Sequence, residues 1–547
     1  MARFGRTSRY RMTRSVLRRH CILLVQRAGA GLSGSPRNRS SVSNDDNGGG
    51  AGWRSASSKL LEGGATALGS VFVLGLAGYT YHWYYKSLVL RKMENAFAPG
   101  YSSLELAALG RQPALADPHS RSDVGNVEDD DWIPRTEQAI IDDIVDGSTQ
   151  GQYHLVTGEK GTGKTSMLLK AMKKIDGDGI AMLEAHPDLE IFRVRLGKAL
   201  DYEFHEDYIG SLFSFKGPRD TTPLLDIERA FNKMEKIALK RQEKAGKPLV
   251  LIINGIHLLQ DDEGGRHLLE LIQQRAELWA ASSLVNVVLN SDEYWITERL
   301  MMRATRLRVL PVRDIPKGPA IAALRSFRYA AFQEDVSTDI LGQVYDKVGG
   351  RLRFLSQIAK SPNMIDACDS ICEKEKRWFL SQCWILGKEM DSNAEGQQEF
   401  CAAAMVIAKA LVEREEAMGE DEKRDGRLPQ IPLHEARQIV TRADFIQHHD
   451  HLNIVTIDPH SMMVQADSVA MQNAFREVCG QDGFEEHLQA TIDRLDELES
   501  LGRTRELTIK DLWGNGAYRA VVERQEGRQN TVVSLRAIPP KADKAQA

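Results

Sequence analysis

Cysteine is scarce, with six residues in a chain of 547 and no pair spaced as CxxC. That excludes a disulfide framework and leaves no zinc-ribbon ligand set. HExxH is missing too, so zinc-protease chemistry lacks its paired histidines. Hydrophobic residues reach 42% and charged residues 27%, which excludes a wholly disordered chain and a multi-span membrane protein. One absence is regional. Residues 1–44 contain no Asp, Glu or Lys, yet hold ten Arg. The rest of the chain holds 61 basic and 76 acidic residues. A cationic head on an acidic body points to a targeting segment before a soluble module, not to a nucleic-acid surface spread over the whole chain.

Within that head, Arg11, Arg14, Arg18 and Arg19 can share one helical side beside Val16, Leu17 and Leu24. An Arg- and Ser-rich amphipathic segment without acids has the composition of a mitochondrial presequence. Residues 45–62 read as a disordered linker. Residues 63–85 carry no Asp, Glu, Lys or Arg and end in Tyr79, Tyr81, Trp83, Tyr84 and Tyr85, followed by Lys86. As a helix they extend about 34 Å, the thickness of a bilayer core. Aromatics followed by cations suit an interfacial anchor. The expectation is therefore a single inner-membrane span contacting lipid, with the large domain leaning toward the matrix, and an irregular linker over residues 86–131.

Next comes an alternation of apolar runs and helical patterns. Tyr153–Thr157 reads as a strand, and Gly158-Glu159-Lys160-Gly161-Thr162-Gly163-Lys164-Thr165-Ser166 matches GxxxxGK[ST] before a helix. Such a loop turns backbone N–H groups onto phosphates, with the helix N-terminus adding its positive end. Lys164 would reach the β- and γ-phosphates, and Thr165 would put its hydroxyl on Mg²⁺. Strands are expected at residues 179–184, 248–253, 285–289 and 309–312. Helices of this length between them imply a doubly wound parallel α/β sheet with right-handed crossovers.

At these residues the chain resembles AAA+/STAND-type P-loop ATPases of the archaeal and origin-recognition branch. More narrowly, it is similar to fungal mitochondrial AAA proteins that end in a winged helix. The resemblance rests on Ile133-Pro134-Arg135, the loop Gly158–Ser166, Ile252-Ile253-Asn254-Gly255-Ile256-His257, Leu289–Trp295 and Gly349–Arg353, and covers about residues 92–480. It implies ATP and Mg²⁺ as ligands, with Ile133 and Pro134 at the adenine and Asn290 as the sensor beside the γ-phosphate. It makes Arg351 or Arg353 the arginine of a helical lid, and Arg303 or Arg306 a finger given to a neighbouring subunit.

The pattern breaks at its acidic pair. Where the family carries Asp-Glu, this chain has Asn254 and Gly255. Asn254 can accept from metal-bound water but brings no charge, and Gly255 offers no base. Base catalysis contributes about 10²–10⁴-fold, so weak turnover is expected. His257, Asp261, Asp262 and Glu263 lie downstream and read mainly as packing or surface residues.

The nucleotide domain is placed at 132–315, the lid and connector at 316–390, and a winged helix at 391–480. A C-terminal helix and disordered tail are placed at 481–547. In the winged-helix segment 16 acids outweigh 8 bases. Duplex binding needs cations to neutralise phosphates, so a protein partner or a second copy is favoured over DNA. Cys368 and Cys372 read as buried thiols, and His448, His449 and His451 as solvated loop residues. The functions weighed are a slow, membrane-anchored ATPase, a non-hydrolysing tether at the inner membrane, and a membrane-anchored factor for mitochondrial DNA, the last weakened by the acidic winged-helix segment.

Overall fold

The structure is a computed structural model that describes residues 52–100, 133, 135–204, 222–390, 394–419, 426–440, 442–514, 517–524 and 531–538. The presequence expected over residues 1–44, and Pro134, lie outside the described residues.

The chain divides into two units, residues 1–79 and 80–547. In the first, the described backbone is helical from Gly52 and forms the start of α1 (Gly52–Asn95). Over residues 52–62 a helix stands where a linker was expected, while residues 45–51 lie outside the described residues; from Trp53 the segment has no proline, and half of residues 53–62 are the helix formers Ala, Leu, Lys and Glu. No helix among the described residues is long and apolar enough to cross a membrane.

In the second unit the same helix brings Val89 and Met93 into the main core, with Phe97 just beyond its end. Residues 86–97 are thus structural, not an irregular linker. Five strands form one parallel sheet in the order β2-β3-β4-β1-β5. They are β1 (Tyr153–Thr157), β2 (Ile180–Glu184), β3 (Leu249–Asn254), β4 (Val285–Asn290) and β5 (Leu307–Pro311). All pairings are parallel, including Val156 with Asn290 and Glu184 with Asn254. The central strands are buried along their length and mostly apolar because helices cover both faces. One face packs α4 (Leu189–Ala199), α5 (Pro223–Ala245) and α6 (Glu263–Ser282). There Phe231 meets Trp279 edge to face at 5.4 Å. Full burial of such a side chain stabilises by about 1.5–3 kcal/mol. The other face packs α2 (Thr136–Val145) and α3 (Lys164–Lys174). The helix α7 (Tyr294–Met301) links β4 to β5.

A helical module follows, built from α8 (Lys317–Phe332), α9 (Thr338–Val348), α10 (Leu352–Ala359) and α11 (Met364–Gln382). Cys368 is buried there and Cys372 half-buried. The third module has α12 (Glu395–Glu416), α13 (Leu433–Val440), α14 (Ala443–His451) and α15 (Val469–Cys479). Its sheet has the order β6-β8-β7, from β6 (Ile431–Pro432), β7 (Val455–Asp458) and β8 (Met463–Ala466). Helices followed by this small hairpin are the winged-helix arrangement anticipated.

The three histidines are not loop residues: all sit on α14, with His449 buried against Phe400 and His451 paired with Glu293. Beyond α16 (Phe484–Gly514), β9 (Ala517–Arg524) and β10 (Thr531–Ile538) pair antiparallel, a hairpin absent from the sequence-based expectation.

Candidate nucleotide site

The site lies at the carboxyl ends of the parallel strands, where sheets of this kind bind ligands. β1 ends at Thr157, the loop turns, and α3 begins at Lys164. The turn requires glycine: Gly158, Gly161 and Gly163 have φ of 147°, 89° and 99°. Their backs are closed as well. A Cβ on Gly158 would lie 2.2 Å from the Val312 carbonyl oxygen, and one on Gly161 would lie 2.9 Å from Cβ of Arg353.

Lys164 is buried, and its ammonium donates to the carbonyls of Gly158 and Glu159, both at 2.8 Å. The Thr162 hydroxyl also accepts from it at 3.5 Å and donates in turn to the Glu159 carbonyl at 3.0 Å. Lys160 is exposed, and Ser166 is half-buried on the first turn of α3. Arg135, just before α2, donates to the Thr162 carbonyl at 2.8 Å and to that of Arg313, tying the loop to the end of β5. Ile133 is half-buried against the helical module.

Three residues expected to act together do meet. The Thr165 hydroxyl donates to Asn254 Oδ1 at 3.1 Å. Asn290 Nδ2 donates to the Thr165 hydroxyl at 3.2 Å and also to Asn254 Oδ1. They come from α3, β3 and β4, and only the strand order makes them neighbours. The Asn290 Oδ1 atom is buried without a hydrogen-bond partner, which leaves an acceptor unused. Uncharged hard oxygens from Thr165 and Asn254 suit a Mg²⁺ that keeps most of its water shell. The residues present therefore fit the metal, which would neutralise phosphate charge there.

Arg351 is placed differently from a free lid arginine. It is buried, with Nε on Asp314 at 2.8 Å and Nη1 on Asp467 Oδ2 at 3.1 Å and on the Lys160 carbonyl at 3.0 Å. Its Nη2 donates to the Asp467 carbonyl. Burial would lower its pKa, but Asp314, Asp467 and Glu159 hold the guanidinium above its ordinary value. It thus joins the loop, the helical module and the third module. Glu159 lies in the same cluster, and burial pushes its carboxyl up to about 7 against the pull of Arg351. Arg353 is exposed on α10. Arg303 pairs with Glu270, and Arg306 donates to the Gly151 carbonyl at the amino end of β5, away from this loop.

Of the acids downstream of β3, Asp261 binds Arg266 and Arg299, and Asp262 caps α6 through Gly265 N. Sequence reasoning gave Asp292 no role, yet its Oδ1 lies 2.8 Å from the Lys164 ammonium. The signal was its place two residues past Asn290, at the carboxyl end of the strand beside β1. His257 Nδ1 accepts from Asp292 N at 3.1 Å, and burial holds that imidazole below its usual pKa despite Asp292 and Glu293. The next two residues reach the third module: Glu293 pairs with His451, and Tyr294 N donates to buried Asp450 at 2.9 Å. Gly158, Glu159 and Asp292 line a cavity of about 980 Å³ that also touches Asp458 and Gln465 of that module.

Residues 135–288 match the family model of the AAA ATPase domain. The chain carries an AAA-type ATPase domain. Residues 381–499 match the C-terminal winged helix domain of fungal AAA proteins, so a winged helix follows the helical module. Among solved structures, a Walker-type ATPase of Pyrococcus abyssi aligns at 12% identity over 64% of this chain and 97% of that one, with a TM-score of 0.42. The Aeropyrum pernix ORC1 protein in complex with DNA aligns at 14% identity over 65% and 95%, with a TM-score of 0.34. No curated protein matches the chain significantly.

Proposed function

We propose that this protein is a nucleotide-state switch. It binds Mg·ATP in the Gly158–Ser166 loop, turns it over slowly, and passes occupancy through its winged helix to a protein partner or a second copy. The observation that carries this reading is the meeting of Thr165, Asn254 and Asn290 beside Lys164. Slow turnover follows from Asn254 and Gly255, which bring neither charge nor base. Coupling follows from covalent continuity: Asn290 contacts Thr165 and Asn254, Asp292 pairs with Lys164, and Glu293 and Tyr294 contact the winged helix. A shift at the phosphate end therefore has a direct route to α14. The excess of acids in the winged-helix segment supports a protein partner over DNA. The acid-free, Arg-rich residues 1–44 support a mitochondrial address.

Calorimetry with ATP and ADP in magnesium, beside Lys164→Ala, tests the reading. Saturable heat in the wild type, lost in the variant, is expected, and absence of heat in both would end it. Phosphate release separates the switch from a non-hydrolysing tether. Faster release in Asn254→Asp is the result expected if missing metal charge limits the rate. Residues 1–44 fused to a fluorescent reporter should direct it to mitochondria, and a diffuse reporter would refute the address.

A further inference from the structure

The nucleotide reading leaves hydrolysis without an acid at the end of β3, yet a carboxylate reaches the site from the adjacent strand. Asp292 forms an ion pair with the loop lysine, and among the described residues no other carboxylate does so. That ammonium is the group that meets the β- and γ-phosphates in loops of this type. A carboxylate 2.8 Å from it stands within one water molecule of the terminal phosphate position. The position is built. Ser291 N donates to the Val156 carbonyl at 3.0 Å, which fixes the end of β4 against β1. His257 then holds the Asp292 amide. The Asp292 side chain is 23% exposed and faces the 980 Å³ cavity that begins at Gly158, so water has access to it.

Other candidates are occupied elsewhere. Asp261 and Asp262 are held by arginines and a helix cap. Glu293 is held by His451 and the Trp295 indole. Asp314 and Asp467 are held by Arg351.

Resting on the nucleotide reading, we propose that Asp292 is the general base of ATP hydrolysis in this protein, replacing the carboxylate missing at Gly255. The water oxygen forms a bond to the γ-phosphorus while one of its protons passes to the Asp292 carboxylate. The γ-phosphorus bond to the bridging oxygen breaks, and its electron pair stays on ADP. Asp292 then returns the proton to solvent. Before nucleotide arrives the same carboxylate neutralises Lys164, so ATP must displace it to reach the ammonium. Removing it therefore has opposite effects on binding and on chemistry, which a merely structural aspartate does not produce.

The test uses the full chain with Asp292→Asn, Asp292→Glu, and Asp261→Asn as a control. Single-turnover phosphate release and calorimetric ATP affinity are both read. Asp292→Asn is expected to slow release at least 100-fold while binding ATP as tightly as wild type or several-fold more tightly. Asp292→Glu should retain part of the rate, and Asp261→Asn should retain all of it. Formate added to Asp292→Ala should restore turnover and serves as a second arm if the amide variant folds poorly. Release in Asp292→Asn within threefold of wild type would overturn the proposal. So would joint loss of affinity and rate without formate rescue, or a wild type that binds ATP and never cleaves it. A wild type that binds no nucleotide would instead overturn the underlying reading.

Discussion

Replacing Arg351 by Met should loosen the junction among loop, helical module and winged helix. Arg351 is 2% exposed and Asp467 is 9% exposed, while Asp314 is only partly covered at 25%. Deleting the cation leaves Asp467 buried without its charge partner and strips a donor from the Lys160 carbonyl. Breaking a buried pair from one side costs about 3–5 kcal/mol. Asp467 can escape part of that by taking a proton, since burial already raises its pKa against the pull of Arg351. A loss of about 3 kcal/mol at neutral pH is the expected figure, large beside the roughly 5–15 kcal/mol of a typical domain. Urea denaturation of the full chain measures it. Adding Asp467→Asn should return about half the loss, because the double variant no longer buries an unpaired charge. A loss below about 1 kcal/mol, or strict additivity of the two substitutions, would refute the assignment of Arg351 as the buried tie.

Three further outcomes follow from the geometry. Gly158→Ala should lower ATP affinity more than tenfold with secondary structure retained by circular dichroism, because its Cβ would meet the Val312 carbonyl oxygen at 2.2 Å; unchanged affinity would show that the loop does not hold the phosphates. Thr165→Val removes the hydroxyl shared by Asn254 and Asn290, so ATP affinity in EDTA and in magnesium should converge; a magnesium effect of wild-type size would place the metal elsewhere. Asp450 is pushed up by burial to about 7, above its unfolded value, so the folded state binds the extra proton and stability falls as pH rises from about 4 to about 7. His154 is pushed down by burial to about 4 and acts in the opposite sense, with stability rising from about pH 4 to its unfolded value near 6.5. Asp450→Asn should remove the first slope and keep the second in denaturation curves across pH. An unaltered pH profile would show that Asp450 is not the group responsible.

Local patterns in the chain were sufficient for the sheet, the loop and most helix positions. Steric need at Gly158, Gly161 and Gly163, continuous apolar strands and 3.6-residue periodicity are properties of neighbouring residues, so one sequence displays them. The same holds for the missing acids at Asn254 and Gly255. The helix of residues 52–62 was missed because its Gly- and Ser-rich surroundings resembled a linker. What only tertiary structure decided is the company that charged groups keep. Arg351 finds Asp467 at a separation of 116 residues, and Lys164 finds Asp292 across a strand order that no local signal encodes. A buried charge takes the partner that packing delivers, because desolvation makes any alternative too costly.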